Sequence, residues 1–267
     1  MAGLYIHIPF CRQACYYCDF HFSTNLAYRE RMISAIAHEL ELQQSFIETE
    51  PFHTIYFGGG TPSILPSSEL DRLLNGIFNK YNVVPSPEIT LEANPDDLSK
   101  EKLADLKSLG INRLSIGIQS FHNHILKFIH RAHTAEEAVL AYENARGAGF
   151  ENISIDLIFS FPGSTKELLM TDIRGAIALA PEHISVYHLT VEEKTVFGNW
   201  QRKGKISQLQ EDDSAEHFDI LIKTLNAANY EQYEISNFCR DGQLFQTQFR
   251  LLEKCTIPRC GPGSAFL

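Results

Sequence analysis

Three cysteines near the start of the chain form a C-x3-C-x2-C run, Cys11-Arg-Gln-Ala-Cys15-Tyr-Tyr-Cys18. Thiolates gathered this closely can wrap a loop around an iron–sulfur cube. A [4Fe–4S] cube has four corners and this loop supplies three sulfurs, the next cysteine being Cys239. One iron would therefore stay open to a small molecule, as one position stays open in catalytic zinc sites. Spacing alone leaves two alternatives: a three-cysteine zinc site completed by His7 or His21, or three buried thiols.

Other residues could do chemistry beside this loop. Gly58-Gly59-Gly60-Thr61-Pro62-Ser63 follows an apolar strand, and its N–H groups could bind a carboxylate or a sugar edge. The run is neither a Walker loop nor a dinucleotide fingerprint, and a tight strand-to-helix turn is the plainer reading. Glu92, at a strand end, could accept hydrogen bonds from ribose hydroxyls, or could be an ordinary surface glutamate. Gln119 and Arg131 are equally ambiguous taken alone. Asp156 interrupts the apolar stretch 153–159, where a carboxylate is costly unless it is paired or functional. His122, His124, His130 and His133 look at first like a metal cluster, but their spacing fits a solvated, partly loop-like segment better. Phe20, Phe22, Phe121 and Phe128 read as core or pocket wall, not as a base-stacking platform.

These residues need elements to position them. β-rich stretches over 4–9, 54–57, 88–93, 113–118, 152–159 and 183–189 alternate with helical patterns over 28–46, 67–81, 99–109, 134–148, 164–180 and 213–228. A short strand is expected at 230–235. Thr134-Ala-Glu-Glu137 fits a capping box, Ser99 an N-cap, and Gly110 and Gly149 helix stops. Six β/α units predict an α/β fold with a parallel sheet that curls into a partial (β/α)6 barrel. Chemistry in such folds sits at the C-terminal ends of the strands. The cysteine loop, the glycine run, Glu92 and Gln119 all fall there, with Asp156 in the fifth strand. The core is expected over 1–190 and the start of a C-terminal region over 191–240; that 241–267 is an aberrant, non-native-like tail is what the family resemblance given below implies. The polar stretch 192–213 is expected to leave the barrel.

Bulk composition excludes several classes. The chain has 267 residues, 44% of them apolar, and a net charge of −10, which argues against a broad nucleic-acid surface. No stretch approaches the roughly 18 uncharged apolar residues that a transmembrane segment needs, and the N-terminus lacks the features of a signal peptide. Six cysteines without a secretion signal point to a reducing compartment, with the cytoplasm as the default location.

Taken in order, the motifs resemble the radical S-adenosylmethionine enzymes. The similarity is to the branch of oxygen-independent coproporphyrinogen III oxidases and their relatives, the heme chaperones. It is carried by Tyr5-Ile-His-Ile-Pro-Phe-Cys11, Cys15-Tyr-Tyr-Cys18-Asp-Phe20, Tyr56-Phe-Gly-Gly-Gly-Thr-Pro-Ser63, Leu91-Glu-Ala-Asn-Pro95, Arg113 to Phe121, Asp156-Leu-Ile158 and Tyr233-Glu-Ile-Ser-Asn-Phe238. The resemblance implies a [4Fe–4S] cluster on Cys11, Cys15 and Cys18, with S-adenosylmethionine on its open iron. It implies that Tyr5, Tyr17, Gly59, Gly60 and Thr61 line the cofactor, and that Glu92, Gln119, Arg131 and Asp156 contact one or two cofactor molecules. The decarboxylase subgroup has Cys-Gly-Cys where this chain has Cys18-Asp19-Phe20, and it carries a longer extension before the loop. Both differences favour the heme-chaperone branch, with heme as cargo, a heme-acceptor protein and an electron donor as partners, and no assigned catalytic residue. The alternatives are a true coproporphyrinogen III oxidase and an inactive truncated remnant.

The resemblance stops after Gly242. The family's His-Asn-x-x-Tyr-Trp motif is missing, but the codons for Phe245–Leu267, read one base later, permit it. A frameshift after about residue 244 is the expectation; on that reading Cys255 and Cys260 are accidental. Codons at Thr247–Gln248 that cannot yield His-Asn would end the idea.

Overall fold

A computed structural model describes residues 2–44, 50–246 and 259–262. Six strands run in chain order: β1 Ala2–Ile8, β2 Phe52–Gly59, β3 Val83–Ala93, β4 Arg113–Gln119, β5 Asn152–Phe159 and β6 His183–His188. Each pairs in parallel with the next. Two further strands, β7 Glu231–Glu234 and β8 Asn237–Cys239, extend the sheet beyond β6, β8 lying antiparallel to it. The pair β9, Arg259–Cys260, runs parallel to β1 at the opposite edge. Sheet order is β7-β8-β6-β5-β4-β3-β2-β1-β9, so among the described residues the α/β sheet curls without closing.

Helices α1 Arg29–Leu42, α2 Ser67–Lys80, α3 Lys100–Ser108, α4 Asn123–Phe128, α5 Ala135–Gly147, α6 Lys166–Leu179, α7 Val196–Arg202 and α8 Glu211–Ala227 complete the fold. The strands alternate in side-chain direction. Along β4, Leu114, Ile116 and Ile118 are fully buried in the main core, whereas Ser115, Gly117 and Gln119 open onto a cavity. The outer face thus joins the helices to the sheet, and the inner face is left polar. Helix α2 shows the matching stripe, with Leu70, Leu73, Leu74 and Ile77 buried. Four such side chains at about 1.5–3 kcal/mol each outweigh the cost of about 1 kcal/mol for Gly76 inside the helix.

Local signals act as expected at several ends. Thr134 forms the full capping box with Glu137, and Ser99 and Thr165 cap α3 and α6. Gly110 and Gly149 take φ of +84° and +86° just past α3 and α5, a region costly for residues with a Cβ.

Two expectations are corrected. The stretch 192–213 does not simply leave the barrel: α7 folds back, and Phe197 lies fully buried in a second apolar cluster with Ile125, Leu126, Ile129 and Leu189. The histidine segment is solvated loop only in part, with His124 exposed. Helix α4 occupies part of it, and His133 is buried with Nε2 3.1 Å from the Ile118 carbonyl. His122 Nε2 lies 3.2 Å from the Leu168 carbonyl, and His130 Nδ1 2.7 Å from that of Ala14. The carbonyls these rings meet lie at the end of β4 (Ile118), in the first turn of α6 (Leu168) and in the cysteine loop (Ala14). Of the tail, 241–246 and 259–262 are described: Phe245 packs beside Tyr56 with centroids 5.2 Å apart, and Cys260 is buried. Cys255, Thr247 and Gln248 lie outside the described residues.

Candidate functional site

A cavity of about 620 Å³ opens at the C-terminal ends of the strands. Its wall includes all three cysteines of the run together with Tyr17, Gly59, Gly60, Thr61, Glu92, Gln119, Arg131 and Asp156. Residues more than a hundred positions apart thus converge on one space.

The cysteine loop leaves β1 and is pinned at both ends. Cys11 N–H donates to the Ser23 carbonyl at 3.1 Å and Ser23 N–H to that of Pro9 at 2.8 Å. Midway, Tyr16 N–H donates to the Ile129 carbonyl, Gln13 Nε2 to that of His130, and Phe197 N–H to that of Tyr16. The Tyr16 ring stacks on His130 with centroids 4.4 Å apart and meets Trp200 edge-on. Two donors reach the sulfurs: Thr61 Oγ1 lies 3.4 Å from Cys11 Sγ, and Arg131 Nη1 3.5 Å from Cys15 Sγ. Burial pushes the Cys18 thiol up to about 11 and raises that of Cys11.

The glycine run fits under this loop. Gly60 N–H donates to the Ile8 carbonyl at 2.9 Å and Thr61 N–H to that of Phe10 at 2.7 Å. A Cβ at Gly60 would sit 2.7 Å from the Phe10 carbonyl oxygen, so only glycine allows this approach. Gly59, at φ +109°, turns its N–H onto Glu92 Oε2 at 3.1 Å. Glu92 also accepts from the Tyr56 hydroxyl at 2.5 Å. Burial is the main reason its pKa is raised to about 7, with the nearby Asp156 charge adding to it. Asp156 accepts from Ser115 Oγ at 3.1 Å, and burial pushes it up to about 6.

Arg131 braces the opposite wall. Its Nη2 donates to Asn94 Oδ1 at 2.6 Å and to the Gly117 carbonyl at 2.9 Å. Gln119 ends β4 with a positive φ of 68°, at a register shift against β5. That twist re-aims the chain where the strand meets the cavity.

Tyr5 is the expected cofactor-lining residue that does not line the cavity. It stacks on Tyr56 at 5.7 Å and places its hydroxyl 3.3 Å from His7 Nδ1, one layer behind Gly58. His7 Nε2 in turn lies 3.0 Å from the His21 carbonyl, so this ring is already used and does not face the thiols. Sequence reading missed Asn94, which also donates to Thr61 Oγ1, and the stretch Tyr187 to Thr190 with Glu192, which closes the cavity after β6. The strand-end rule that flagged Glu92 and Gln119 applied equally to β6.

The donor set suits a polynuclear iron–sulfur centre: three soft sulfurs on one wall, two of them met by N–H or O–H donors that stabilise negative sulfur. Among the described residues, no group of three or more His, Cys, Asp or Glu side chains is placed to hold a single metal ion. A cube, with separated corners, does not require its sulfurs to meet at one point.

Residues 5–174 match the family described as the Radical SAM superfamily. The chain belongs to the radical SAM superfamily. Within it, the chain is 42% identical over 234 residues to a Lactococcus lactis protein named heme chaperone HemW, covering 88% of this chain and 61% of the relative. The HemW of Bacillus subtilis is 41% identical over 246 residues, covering 91% and 64%. This radical SAM chain therefore spans somewhat more than three fifths of those relatives' length. Among solved structures, Escherichia coli coproporphyrinogen III oxidase, HemN, a radical SAM enzyme, superposes with a TM-score of 0.81 at 24% identity, covering 90% of this chain and 56% of that one. That likeness shows the α/β radical SAM fold. No helix among the described residues is long and apolar enough to cross a membrane.

Proposed function

We propose that this chain holds a [4Fe–4S] cluster on Cys11, Cys15 and Cys18, binds S-adenosylmethionine in the adjoining cavity, and carries heme for delivery to an acceptor protein. The observation that carries the cofactor part is the meeting of three thiols with Glu92, Gln119, Arg131 and Asp156 around one 620 Å³ space. The heme part rests on relatives at 41–42% identity that are named heme chaperones.

In this reading the polypeptide binds and orients. Gly59 and Gly60 bring backbone close to the cofactor without side-chain bulk. Glu92 and Asp156 accept from ribose hydroxyls or face the sulfonium charge, and Gln119 supplies an amide at the end of β4. Arg131 holds the Cys15 side of the loop while its other nitrogen fixes Asn94. A bound cluster supplies an electron that can cleave a carbon–sulfur bond of the sulfonium cofactor, chemistry that belongs to the cofactors. Tyr16, Phe197 and Trp200 screen the loop from water on its outer side.

Anaerobic reconstitution tests the proposal. About four irons per chain, and an electron paramagnetic resonance spectrum that changes when S-adenosylmethionine is added, are expected for a cube with one open iron. Heme uptake without new vinyl groups on coproporphyrinogen III supports the carrier. Vinyl products would make the chain a decarboxylase instead. Zinc in the loop, or a cube indifferent to the cofactor, overturns the reading.

A further inference from the structure

A second, apolar cavity of about 290 Å³ lies on the outer face of β6, away from the barrel interior. Its walls are Phe159 and Val186 from the sheet, Ala215 and Phe218 from α8, and Ile235 in the turn between β7 and β8. Phe159 and Phe218 lie nearly parallel, 6.0 Å between centroids and 15° between planes. Ile235 is 69% exposed at the mouth among the described residues, an unusual place for a large aliphatic side chain. The polar atoms of the wall are the hydroxyls of Ser214 and Ser236 and one imidazole, that of His188.

His188 ends β6 and lines both this slot and the large cavity, the one side chain common to the two walls. It meets Phe159 edge-on at 5.3 Å and makes no side-chain hydrogen bond among the described residues. The contrast with its neighbours is informative: His7, His122, His130, His133 and His183 each commit ring nitrogens to a carbonyl or a hydroxyl. Burial also lowers the His188 pKa, which favours the neutral ring that metal ligation requires.

An uncommitted imidazole at the rim of an aromatic and aliphatic slot is the environment of an iron porphyrin: nitrogen to the iron, apolar surface to the macrocycle. We infer that His188 is an axial ligand for heme seated edge-first between β6, α8 and the β7–β8 turn. The assignment rests on the heme-carrier reading and gives it a location. The slot is too small to enclose a porphyrin, so the rest of the macrocycle stays outside, where an acceptor can reach it. The Ser214 and Ser236 hydroxyls are available to the propionates.

Hemin titration of the reconstituted full chain, followed in the Soret region and by electron paramagnetic resonance, tests this. Wild type should show histidine-ligated iron. His188→Ala should bind hemin about tenfold or more weakly and lose that signature, and added imidazole should restore it. Ile235→Asp places a charge at an exposed position where folding is not at risk, and should weaken hemin binding severalfold while keeping the histidine spectrum. A His188→Ala chain with wild-type affinity and spectrum overturns the assignment and leaves the carrier reading standing. A wild-type chain that binds no hemin, though its cluster responds to S-adenosylmethionine, overturns the carrier reading and this site with it.

Discussion

The Tyr56 hydroxyl donates to Glu92 Oε1 at 2.5 Å, and this bond ties a buried tyrosine outside the cavity to an acid in its wall. Glu92 titrates near 7, mainly because it is buried, while the Tyr56 hydroxyl and Gly59 N–H pull the value down. An acid whose pKa is raised by folding keeps its proton longer in the fold, so its contribution to stability is present at low pH and lost as pH rises. Through Glu92 the ligand-free protein should therefore lose stability between about pH 4.5 and 7, against an opposite trend from buried histidines such as His133, whose pKa burial lowers to about 4. Glu92 accounts for at most about 3 kcal/mol of that slope, less because its carboxyl opens onto the cavity. Relative to wild type, Glu92→Gln should raise the urea midpoint at pH 7.5 more than at pH 5. Tyr56→Phe should cost about 1–2 kcal/mol, more at pH 8 than at pH 5, because it removes a donor to the ionised form.

Gly60→Ala should damage the metal site without touching a sulfur. The added Cβ would press on the Phe10 backbone at 2.7–2.9 Å, one residue before Cys11, and that backbone cannot swing aside as a long side chain can. Iron per chain after reconstitution should fall well below that of wild type. A matching change at Gly76, where nothing lies within 4 Å, should leave iron content unaltered and raise stability by up to about 1 kcal/mol.

Tyr16→Ala should release the outer clasp of the cysteine loop. The ring touches His130, Phe197 and Trp200, so its loss should cost about 3 kcal/mol or more. Bleaching of the cluster band on exposure to air should accelerate, and Trp200 fluorescence should shift toward that of a solvated indole.

Arg131→Lys should not substitute for arginine. The guanidinium reaches Cys15 Sγ, Asn94 Oδ1 and the Gly117 carbonyl at once, a spread that one ammonium cannot span. Thermal melting of the cluster-free protein should fall, and S-adenosylmethionine should perturb the spectrum of the reconstituted cluster less. Alanine at Cys11, Cys15 or Cys18 should abolish cluster binding, whereas Cys239→Ala should leave iron content at the wild-type level.

Much of this architecture is legible in the chain because its signals are local. Apolar runs such as Leu114 to Ile118 mark parallel strands buried on the helix side, and Thr134 with Glu137 marks the start of α5 within a residue. What escaped depends on distant partners. Val196–Arg202 lies within the polar stretch 192–213, and its return to the loop is decided by Phe197 and Trp200 finding Tyr16, some 180 residues earlier. His122, His130 and His133 look hydrated because imidazoles are polar; only the fold shows the carbonyls they meet. Tyr5 occupies an inward-facing strand position, but its ring stacks on Tyr56 and its hydroxyl lies beside His7, partners that one strand's alternation cannot reveal.

The clasp on the cysteine loop has a consequence for biogenesis. In chain order the sulfurs come before the groups that lock them, which lie at Ile129, His130, Arg131 and Phe197. A nascent chain that has emerged only as far as β3 displays three thiols and none of that support. The cradle is complete only once the chain as far as Phe197 has been synthesised, so iron and sulfide are best loaded onto a scaffold already folded to that point.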